Sequence, residues 1–466
     1  MKMVRRIIFI LGVILGLSSY AMAALTPEEV SQLGGDKLTV IGAEKAGNAD
    51  GSIPPYTGGI TEGPDGWYYE GQLKVPYSAF KARSIGVRPN PFKDDKILYT
   101  ITASNLAEYD EFLTDGTKEL FKRFPDYKMN VYPSRRSCSY GKNVIEGTRK
   151  SALTAKVVGE GGKSLIGAHC GFPFPIPKSG IELVWNHLVR WVGTVERGMY
   201  NSFVVNSAGR KVLSSHGEFT LEYPYWDETH PDAGTDLCKI RDRVIQPANR
   251  NGEGLIWIFK LDKTNGDPAW QYLPGQRSVK RAPEIAFDGP NTSVAGAATY
   301  DESYVYNGSP ERFEWKIVGK KEMLIPYNQY ELAYHSSENT VFGPKFINPD
   351  YMRWEKHRVW VLEGTLKPEY RHIFSKRIMY LDEDSWYAVL ADTYDHKGNI
   401  YRVTHCTFVH NYDYPAPFTC GYVGYDLIAG IYYYNAYTGD TGGMGYIDRL
   451  PSQYWAPQAL AGAGIR

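Results

Sequence analysis

The most reactive side chains of this sequence are its five cysteines, and their spacing limits the reactions they could support. They are Cys138, Cys170, Cys238, Cys406 and Cys420. A thiolate metal site or redox pair commonly uses a C-x-x-C spacing, and the sequence contains none. Two of the cysteines follow a histidine directly, but adjacent side chains on a strand point to opposite faces, so neither dipeptide makes one site. We therefore expect structural disulfides. The expected pairs are Cys138 with Cys170 and Cys406 with Cys420, with Cys238 left over.

Histidines and carboxylates could support metal binding or acid–base catalysis. The ten histidines are scattered along the chain, and zinc requires three or four ligands that converge. We expect these histidines to pack in the core or face solvent, although several in strands could meet in space. The acidic clusters Asp301-Glu302 and Asp382-Glu383-Asp384 could bind calcium or pair as acid and base. Neither has the D-x-D-x-D-G order of a calcium loop, and we interpret both as turns.

Signatures of common enzymes do not occur in a supporting context of strand and helix. These are the G-x-S-x-G, H-E-x-x-H, Walker and dinucleotide-binding patterns. The 52 basic residues balance the 52 acidic ones, so the chain offers no field that would attract nucleic acid. We predict no catalytic residue, no metal, no cofactor and no nucleic-acid partner. A secreted hydrolase or metal enzyme is an alternative supported only by the dispersed His, Asp and Glu residues.

The N-terminal part, residues 24–190, is predicted to be a wrapping segment that contains short helices and a strap. Thr26-Pro27-Glu28-Glu29 is a capping box that starts a helix, and Gly34-Gly35 ends it. The clearest helix is predicted over residues 180–191, where apolar side chains recur at helical spacing. Before it, residues 172–177 form a proline-rich strap that cannot join the interior of a sheet.

From residue 191 to 430 the pattern changes to short strands and turns. Runs at 358–366, 371–381, 386–394 and 400–409 follow one another with turns between them, which predicts an antiparallel meander. The 36 tyrosines and 11 tryptophans also favour strands. We predict a mainly β (α+β) fold, a curved antiparallel half-open β-barrel covered by short helices. Residues 431–466 form a tail rich in Tyr and Gly.

Residues 1–23 have the order of a secretory signal peptide. Lys2, Arg5 and Arg6 precede an apolar run that is shorter than a membrane span, and Ala21-Met22-Ala23 follows it. We expect cleavage after Ala23 and a periplasmic mature protein.

Two segments carry a resemblance to a known family. Residues 269–283 contain Trp-x-Tyr-x-Pro followed by Arg-x-x-Lys-Arg, and residues 380–386 with 394–399 form a hairpin pair. Both resemble the LolA/LolB-like superfamily of outer-membrane lipoprotein-sorting proteins. More closely, the chain resembles an uncharacterised, secreted proteobacterial domain-of-unknown-function family within it. The matching stretches are 42–51, 172–187, 269–290, 315–327 and 353–395.

The resemblance implies a half-barrel that holds an acyl chain or another apolar ligand, with no catalytic residue. It also implies a role in envelope traffic, since such proteins tend to be encoded beside an outer-membrane barrel protein and an exporter. The leading hypothesis is a periplasmic carrier or chaperone for an apolar small molecule, acyl chain or lipoprotein. The alternative is a non-enzymatic assembly or docking subunit for the barrel protein or the exporter. We expect the ligand beneath the strap and the helix at 180–191. Its candidate contacts are Trp185, Leu188, Trp270, Trp315, Trp360 and Trp386.

Overall fold

Eighteen β-strands dominate the residues that the computed structural model describes, namely 24–64, 87–282 and 288–462. The predicted signal peptide and its cleavage point after Ala23 lie outside the described residues. The strands are β1 Tyr99–Ile101, β2 Met129–Val131, β3 Lys156–Val158, β4 Ser164–Ile166, β5 Val195–Val205, β6 Lys211–Glu222, β7 Asp236–Gln246, β8 Gly254–Lys260, β9 Ala269–Leu273, β10 Ser278–Arg281, β11 Phe313–Pro326, β12 Trp354–Leu366, β13 Lys376–Asp382, β14 Ala388–Tyr394, β15 Ile400–Asn411, β16 Ala416–Asp426, β17 Ile431–Tyr437 and β18 Met444–Tyr446.

Seven α-helices, all short, accompany the strands in the same described ranges. They are α1 Pro27–Ser31, α2 Asp115–Arg123, α3 Lys142–Thr154, α4 Gly180–Leu188, α5 Tyr330–Tyr334, α6 Glu338–Val341 and α7 Ala459–Gly462. Several 3-10 turns lie between them, of which Thr292–Val294 and Tyr300–Glu302 matter below. None of the helices in these ranges has the length and apolar character needed to cross a membrane.

Sixteen of the strands form one sheet. Its order is β1-β2-β12-β13-β14-β15-β16-β17-β5-β6-β7-β8-β9-β10, with β11 added on β12 and β18 added on β5. All neighbours are antiparallel except β2 and β12, which share one parallel contact at Val131 and Trp354. β17 joins the meander of β12 to β16 to the meander of β5 to β10. The prediction of a mainly β fold built on a large, curved antiparallel sheet that does not close is confirmed.

Local signals in the N-terminal part have mixed outcomes. The predicted capping box before α1 is present, with Thr26 and Glu29 bonded to each other's backbone. The helix predicted at 180–191 ends earlier, at Leu188, and Ser179 makes no side-chain cap. All residues of α4 except Ile181 are buried, so the helix packs inside the protein rather than along its surface. Asn186 of α4 holds the strap by bonding the backbone N–H and C=O of Phe174, at 3.1 and 2.7 Å.

All five cysteines are buried and carry free thiols, so the two expected disulfides are absent from the structure. The Cys138 thiol makes no disulfide with Cys170 and is instead hydrogen-bonded to the Tyr327 hydroxyl at 3.2 Å. In the pairing of β15 with β16, Cys406 lies opposite Tyr422 and not opposite Cys420. Burial raises the pKa of all five thiols, which disfavours the thiolate that disulfide chemistry needs.

Candidate functional site

One face of the strands β5 to β8 forms the wall of a cavity. Register places Glu196 opposite Leu221, Leu221 opposite Ile240 and Ile240 opposite Trp257. Phe219, Asp242 and Leu255 form the next row, in which each faces its neighbour in the same way. Side chains that are directly opposite on neighbouring strands point to the same face. These two rows therefore make a continuous surface of aromatic and aliphatic groups that contains two carboxyls.

Two more strands contribute to the same cavity. Phe418 and Tyr422 come from β16 and Asn435 from β17, and Tyr422 pairs with Asn435. The strands from β16 to β8 are six neighbours in the sheet, a span of about 24 Å if the sheet were flat. Each of the four intervening strands, β17, β5, β6 and β7, contributes side chains to the lining of a cavity of only about 140 Å³. The sheet must therefore curl around this space.

A cover segment, residues 288–307, closes the cavity on the side opposite the sheet. It contributes Asn291, Ser293, Tyr300, Ser303, Tyr304 and Asn307 to the lining. Two buried arginines of the sheet anchor it, since Arg377 pairs with Asp301 and Arg402 pairs with Glu302. The Asp301-Glu302 cluster lies in the 3-10 turn Tyr300–Glu302, which confirms its interpretation as a turn.

The cover holds a strained backbone just after this turn. Tyr304 and Val305 adopt positive φ values of 54° and 76°. Positive φ is unfavourable for a β-branched residue and for an aromatic one, so surrounding contacts must maintain it. One such contact comes from Arg190, whose guanidinium lies 4.7 Å from the centre of the Tyr304 ring. The contact with Arg190 thus helps to hold Tyr304 in the lining of the cavity.

Glu196 is the most unusual group in the lining. Glu196 is only 4% exposed, and its Oε1 atom has no hydrogen-bond partner among the described residues. Burial raises the pKa of Glu196 to about 8, and the positive charge of Arg190 opposes that rise. Desolvation disfavours the ionised form, so the carboxyl is kept neutral near pH 7. Whether the carboxyl is neutral or ionised, its Oε1 atom accepts no hydrogen bond from the described residues, and a ligand could donate one.

Trp257 has a hydrogen-bond donor without an acceptor, the opposite of what Glu196 lacks. Its ring lies on β8 against Phe259 and Tyr300, with centroids 4.5 and 5.7 Å away, and its Nε1 atom is buried without an acceptor in the described part of the chain. A buried polar group without a partner costs about 1–3 kcal/mol. Two such groups in one apolar cavity indicate a molecule with an apolar body that both accepts and donates hydrogen bonds.

The second carboxyl, Asp242, already has a partner inside the protein. The Tyr200 hydroxyl lies 2.9 Å from both of its oxygens. Burial raises the pKa of Asp242 to about 7, and the hydrogen bond from Tyr200 opposes that rise. The cavity therefore offers one satisfied and one unsatisfied carboxyl, and only the latter is available to a ligand.

None of the six predicted ligand contacts lines this cavity. Trp185 and Leu188 are buried in the main core, and the Trp185 indole donates to the Gly162 carbonyl at 2.9 Å. Trp386 donates to the Ile41 carbonyl and stacks on Trp360, while Trp315 donates to the Pro310 carbonyl. Trp270 packs in a separate small cluster beside Leu460. The ligand site expected beneath the strap and the helix therefore stays a prediction, separate from this cavity.

Sequence reasoning missed the residues that do line the cavity. Glu196 and Trp257 stand 61 positions apart, and only the register across β5 to β8 makes them part of one surface. The abundance of tyrosine was the one available signal, since Tyr200, Tyr223, Tyr300, Tyr304 and Tyr422 all reach the cavity. Composition alone does not say which of the 36 tyrosines do so.

The family model with the description "Protein of unknown function (DUF1329)" matches residues 100–461 of the chain. An uncharacterized protein of Pseudomonas aeruginosa is 37% identical over 421 residues, which make up 89% of each chain. A solved outer membrane lipoprotein-sorting protein domain from Vibrio parahaemolyticus is 15% identical and covers 60% of this chain and 98% of its own, with a TM-score of 0.42. A solved DUF1329 family protein from Desulfovibrio piger is 12% identical and covers 57% and 91%, with a TM-score of 0.39. A LolA superfamily protein from Nitrosomonas europaea is 11% identical and covers 60% and 98%, with a TM-score of 0.34.

Proposed function

Because this chain belongs to the DUF1329 family of unknown function, as the sequence resemblance predicted, we propose its function from the geometry of the cavity. The protein is a non-enzymatic carrier. It binds a small molecule with an apolar body and a polar group between the sheet face of β5 to β8 and the cover segment. The observation that carries this proposal is a partly open aromatic cavity lined by Glu196 and Trp257, whose Oε1 and Nε1 atoms are buried without partners in the described residues.

The size of the cavity limits the ligand. About 140 Å³ is close to the roughly 150 Å³ of an engineered apolar cavity that binds benzene. The bound portion is therefore a ring system or a short acyl segment rather than a whole lipid. Each buried methylene contributes about 0.8 kcal/mol, so six of them give roughly 5 kcal/mol before the cost of association is subtracted. Apolar burial alone gives weak binding, and the polar contacts to Glu196 and Trp257 supply the remainder.

We place this carrier in the bacterial periplasm, where the signal predicted at residues 1–23 would deliver it. Lys2, Arg5 and Arg6 with the apolar run after them support this location. A function in the transfer of envelope lipids, or of the acyl parts of lipoproteins, suits a carrier in that compartment.

A binding assay with a matched pair of probes tests the proposal. 1-Aminonaphthalene has an apolar ring and an amine that can donate to Glu196, and naphthalene has the ring alone. We expect saturable binding of 1-aminonaphthalene with one site per chain, measured by fluorescence and calorimetry. We expect naphthalene to bind at least about 10-fold more weakly, since one hydrogen bond to a buried carboxyl contributes about 1.5 kcal/mol. Native mass spectrometry of the protein purified from the periplasm of its native bacterium identifies the physiological ligand.

Two variants locate the binding site. Ile240→Trp fills the cavity from β7, and Ile258→Trp places the same ring on the opposite face of the neighbouring strand. We expect Ile240→Trp to weaken binding at least about 10-fold and Ile258→Trp to leave it unchanged. Folded wild-type protein that shows no saturable binding would overturn the carrier proposal and favour the assembly-subunit alternative.

A further inference from the structure

A second cluster of buried polar side chains lies outside the cavity lining, at the turn between β13 and β14. Asp382 ends β13, Asp384 lies in the turn, and His357 comes from the neighbouring strand β12. One ligand atom from each of the three lies within 4.8 Å of the others. All three residues are at most 2% exposed. We propose that His357, Asp382 and Asp384 bind a divalent transition-metal ion of the zinc class.

The first support for this site is an unsatisfied atom inside it. Asp382 Oδ2 accepts a hydrogen bond from the Ser385 hydroxyl at 2.6 Å, but Oδ1 has no hydrogen-bond partner in the described ranges. Asp382 also forms no ion pair with a lysine or arginine of those ranges. A buried carboxylate oxygen without a donor or a cation is costly, and a bound metal ion removes that cost.

The second support is the orientation of His357. Its Nε2 atom lies 3.1 Å from Glu355 Oε2, so that nitrogen carries the proton and Nδ1 is left as an acceptor. Nδ1 lies 3.8 Å from the unpartnered Asp382 Oδ1, which is too far for a hydrogen bond. Two acceptors that face each other at this distance repel unless a cation lies between them. Metal–ligand bonds of about 2.0–2.2 Å from each side can span the gap.

Outer groups hold each proposed ligand in place, as metal sites require. Glu355 accepts from His357 and is itself fixed by Arg353 Nε at 2.6 Å and by Asn328 Nδ2 at 3.0 Å. A histidine ligand that donates its other N–H to a carboxylate is the usual arrangement around zinc. Asp384 is oriented by two hydrogen bonds from Arg136, at 2.7 and 2.8 Å.

The donor set selects the metal. One imidazole nitrogen with two carboxylates suits Zn²⁺, Mn²⁺ or Fe²⁺ better than Ca²⁺, which prefers six or more oxygens. All three residues are buried, and we assign the ion a role in stabilising the fold. Arg136 belongs to the chain segment before α3, and the ion would tie the β13–β14 turn to β12 beside the contact that Arg136 makes. Glu383 and Asp384 lie in a turn, as the sequence indicates, and Asp382 ends the strand before it; we assign this run the additional role.

Metal titration of the full chain tests the proposal. The protein is stripped with a chelator, dialysed, and titrated with Zn²⁺ by calorimetry and with Co²⁺ by visible absorption. We expect one ion per chain, the absorption bands of protein-bound Co²⁺, and a higher Tm after Zn²⁺ is added, because an ion that binds only the folded state stabilises it. Folded wild-type protein that takes up no Zn²⁺, Co²⁺ or Mn²⁺ would overturn the proposal.

Three variants complete the test. Asp382→Asn keeps the shape of the side chain, and we expect it to weaken Zn²⁺ binding at least about 100-fold; His357→Gln should do the same. Asp392→Asn is the matched control, because Asp392 is a buried carboxyl whose oxygens already accept from the Gly116 N–H and the Thr114 hydroxyl. It should bind Zn²⁺ like the wild type. If His357→Gln does not fold, Asp382→Asn decides, and Zn²⁺ affinity equal to that of the wild type in this variant would contradict the assignment.

Discussion

The Tyr200 hydroxyl lies 2.9 Å from both carboxyl oxygens of Asp242. Tyr200 is on β5 and Asp242 is on β7, so the contact reaches across the intervening strand β6. This contact crosses the cavity face of β5 to β7 and satisfies one of the two carboxyls there. Asp242 is therefore engaged within the wall of the cavity, whereas Glu196 remains available to a ligand. The contact also gives a stability prediction.

We expect Tyr200→Phe to lower the free energy of unfolding by about 1–3 kcal/mol at pH 8, because it leaves the ionised Asp242 without its donor. The pKa of Asp242 is raised to about 7, so at pH 5 the carboxyl is protonated and the loss should be smaller. Urea unfolding at the two pH values measures the difference. In an Asp242→Asn background the pH dependence of the Tyr200→Phe effect should disappear, and its persistence would assign the effect to other groups.

Glu196 should make stability fall as pH rises. Its pKa is about 8 in the folded protein and about 4.3 in an unfolded chain. Between these values the folded state holds a proton that the unfolded state has lost, so the stabilising contribution is complete below about pH 4 and is gone above about pH 8. We expect Glu196→Gln to remove up to about 1.4 kcal/mol per pH unit from this slope.

Urea unfolding of wild type and Glu196→Gln at pH 5, 7 and 9 measures that slope. The variant should be close to the wild type at pH 5 and more stable than it at pH 9. Glu218→Gln, on the adjacent strand β6 and paired with Arg197 at a more exposed position, is the control and should keep the wild-type slope. Parallel slopes for wild type and Glu196→Gln would contradict the buried, neutral carboxyl.

Trp185 should affect stability and not ligand binding. The residue is fully buried and its indole donates to the Gly162 carbonyl, away from the cavity lining. Trp185→Phe leaves a void and an unpaired carbonyl, and we expect a loss of about 1–3 kcal/mol in the free energy of unfolding. Binding of 1-aminonaphthalene should be unchanged. Weaker binding at unchanged stability would instead return the ligand to the space beneath the strap.

Gly42 should tolerate no side chain. It has φ +95°, and a Cβ atom there would lie 1.7 Å from the Pro175 carbonyl oxygen of the strap. We expect Gly42→Ala to cost at least about 2 kcal/mol, because the added carbon must displace the backbone at residue 42 or at Pro175 of the strap. Gly51→Ala is the control, since Gly51 also has positive φ (+73°) but no atom within 4 Å of the added carbon.

Gly51→Ala should cost only about 1 kcal/mol, the backbone term alone. Thermal and urea unfolding compare the two variants. Equal losses would mean that the contact of Gly42 with the strap has no energetic importance.

The elements of this protein follow from local patterns in the sequence. The capping box at Thr26 and Glu29, the helix near residue 180 and the meander that became β12 to β15 all depend on neighbours within a few positions. A turn forms between the runs predicted at 386–394 and 400–409, with Asp395 Oδ1 accepting from the N–H groups of Lys397 and Asn399. Helical and strand periods are properties of the chain itself, so the sequence can specify them without knowledge of the fold.

The site depends on relations that no local pattern contains. Trp185 has the helical spacing predicted for it, yet α4 is buried nearly all round, so that spacing does not indicate a surface that faces a ligand. A β-bulge after Cys406 shifts the register of β15 and β16, and such a bulge changes which side chains are opposite from there onward. Glu196 and Trp257 share a cavity because three successive registers and the curvature of the sheet bring them to one face. The sequence determined the strands, and the tertiary structure alone decided which side chains meet, because register and curvature are set by contacts between distant segments.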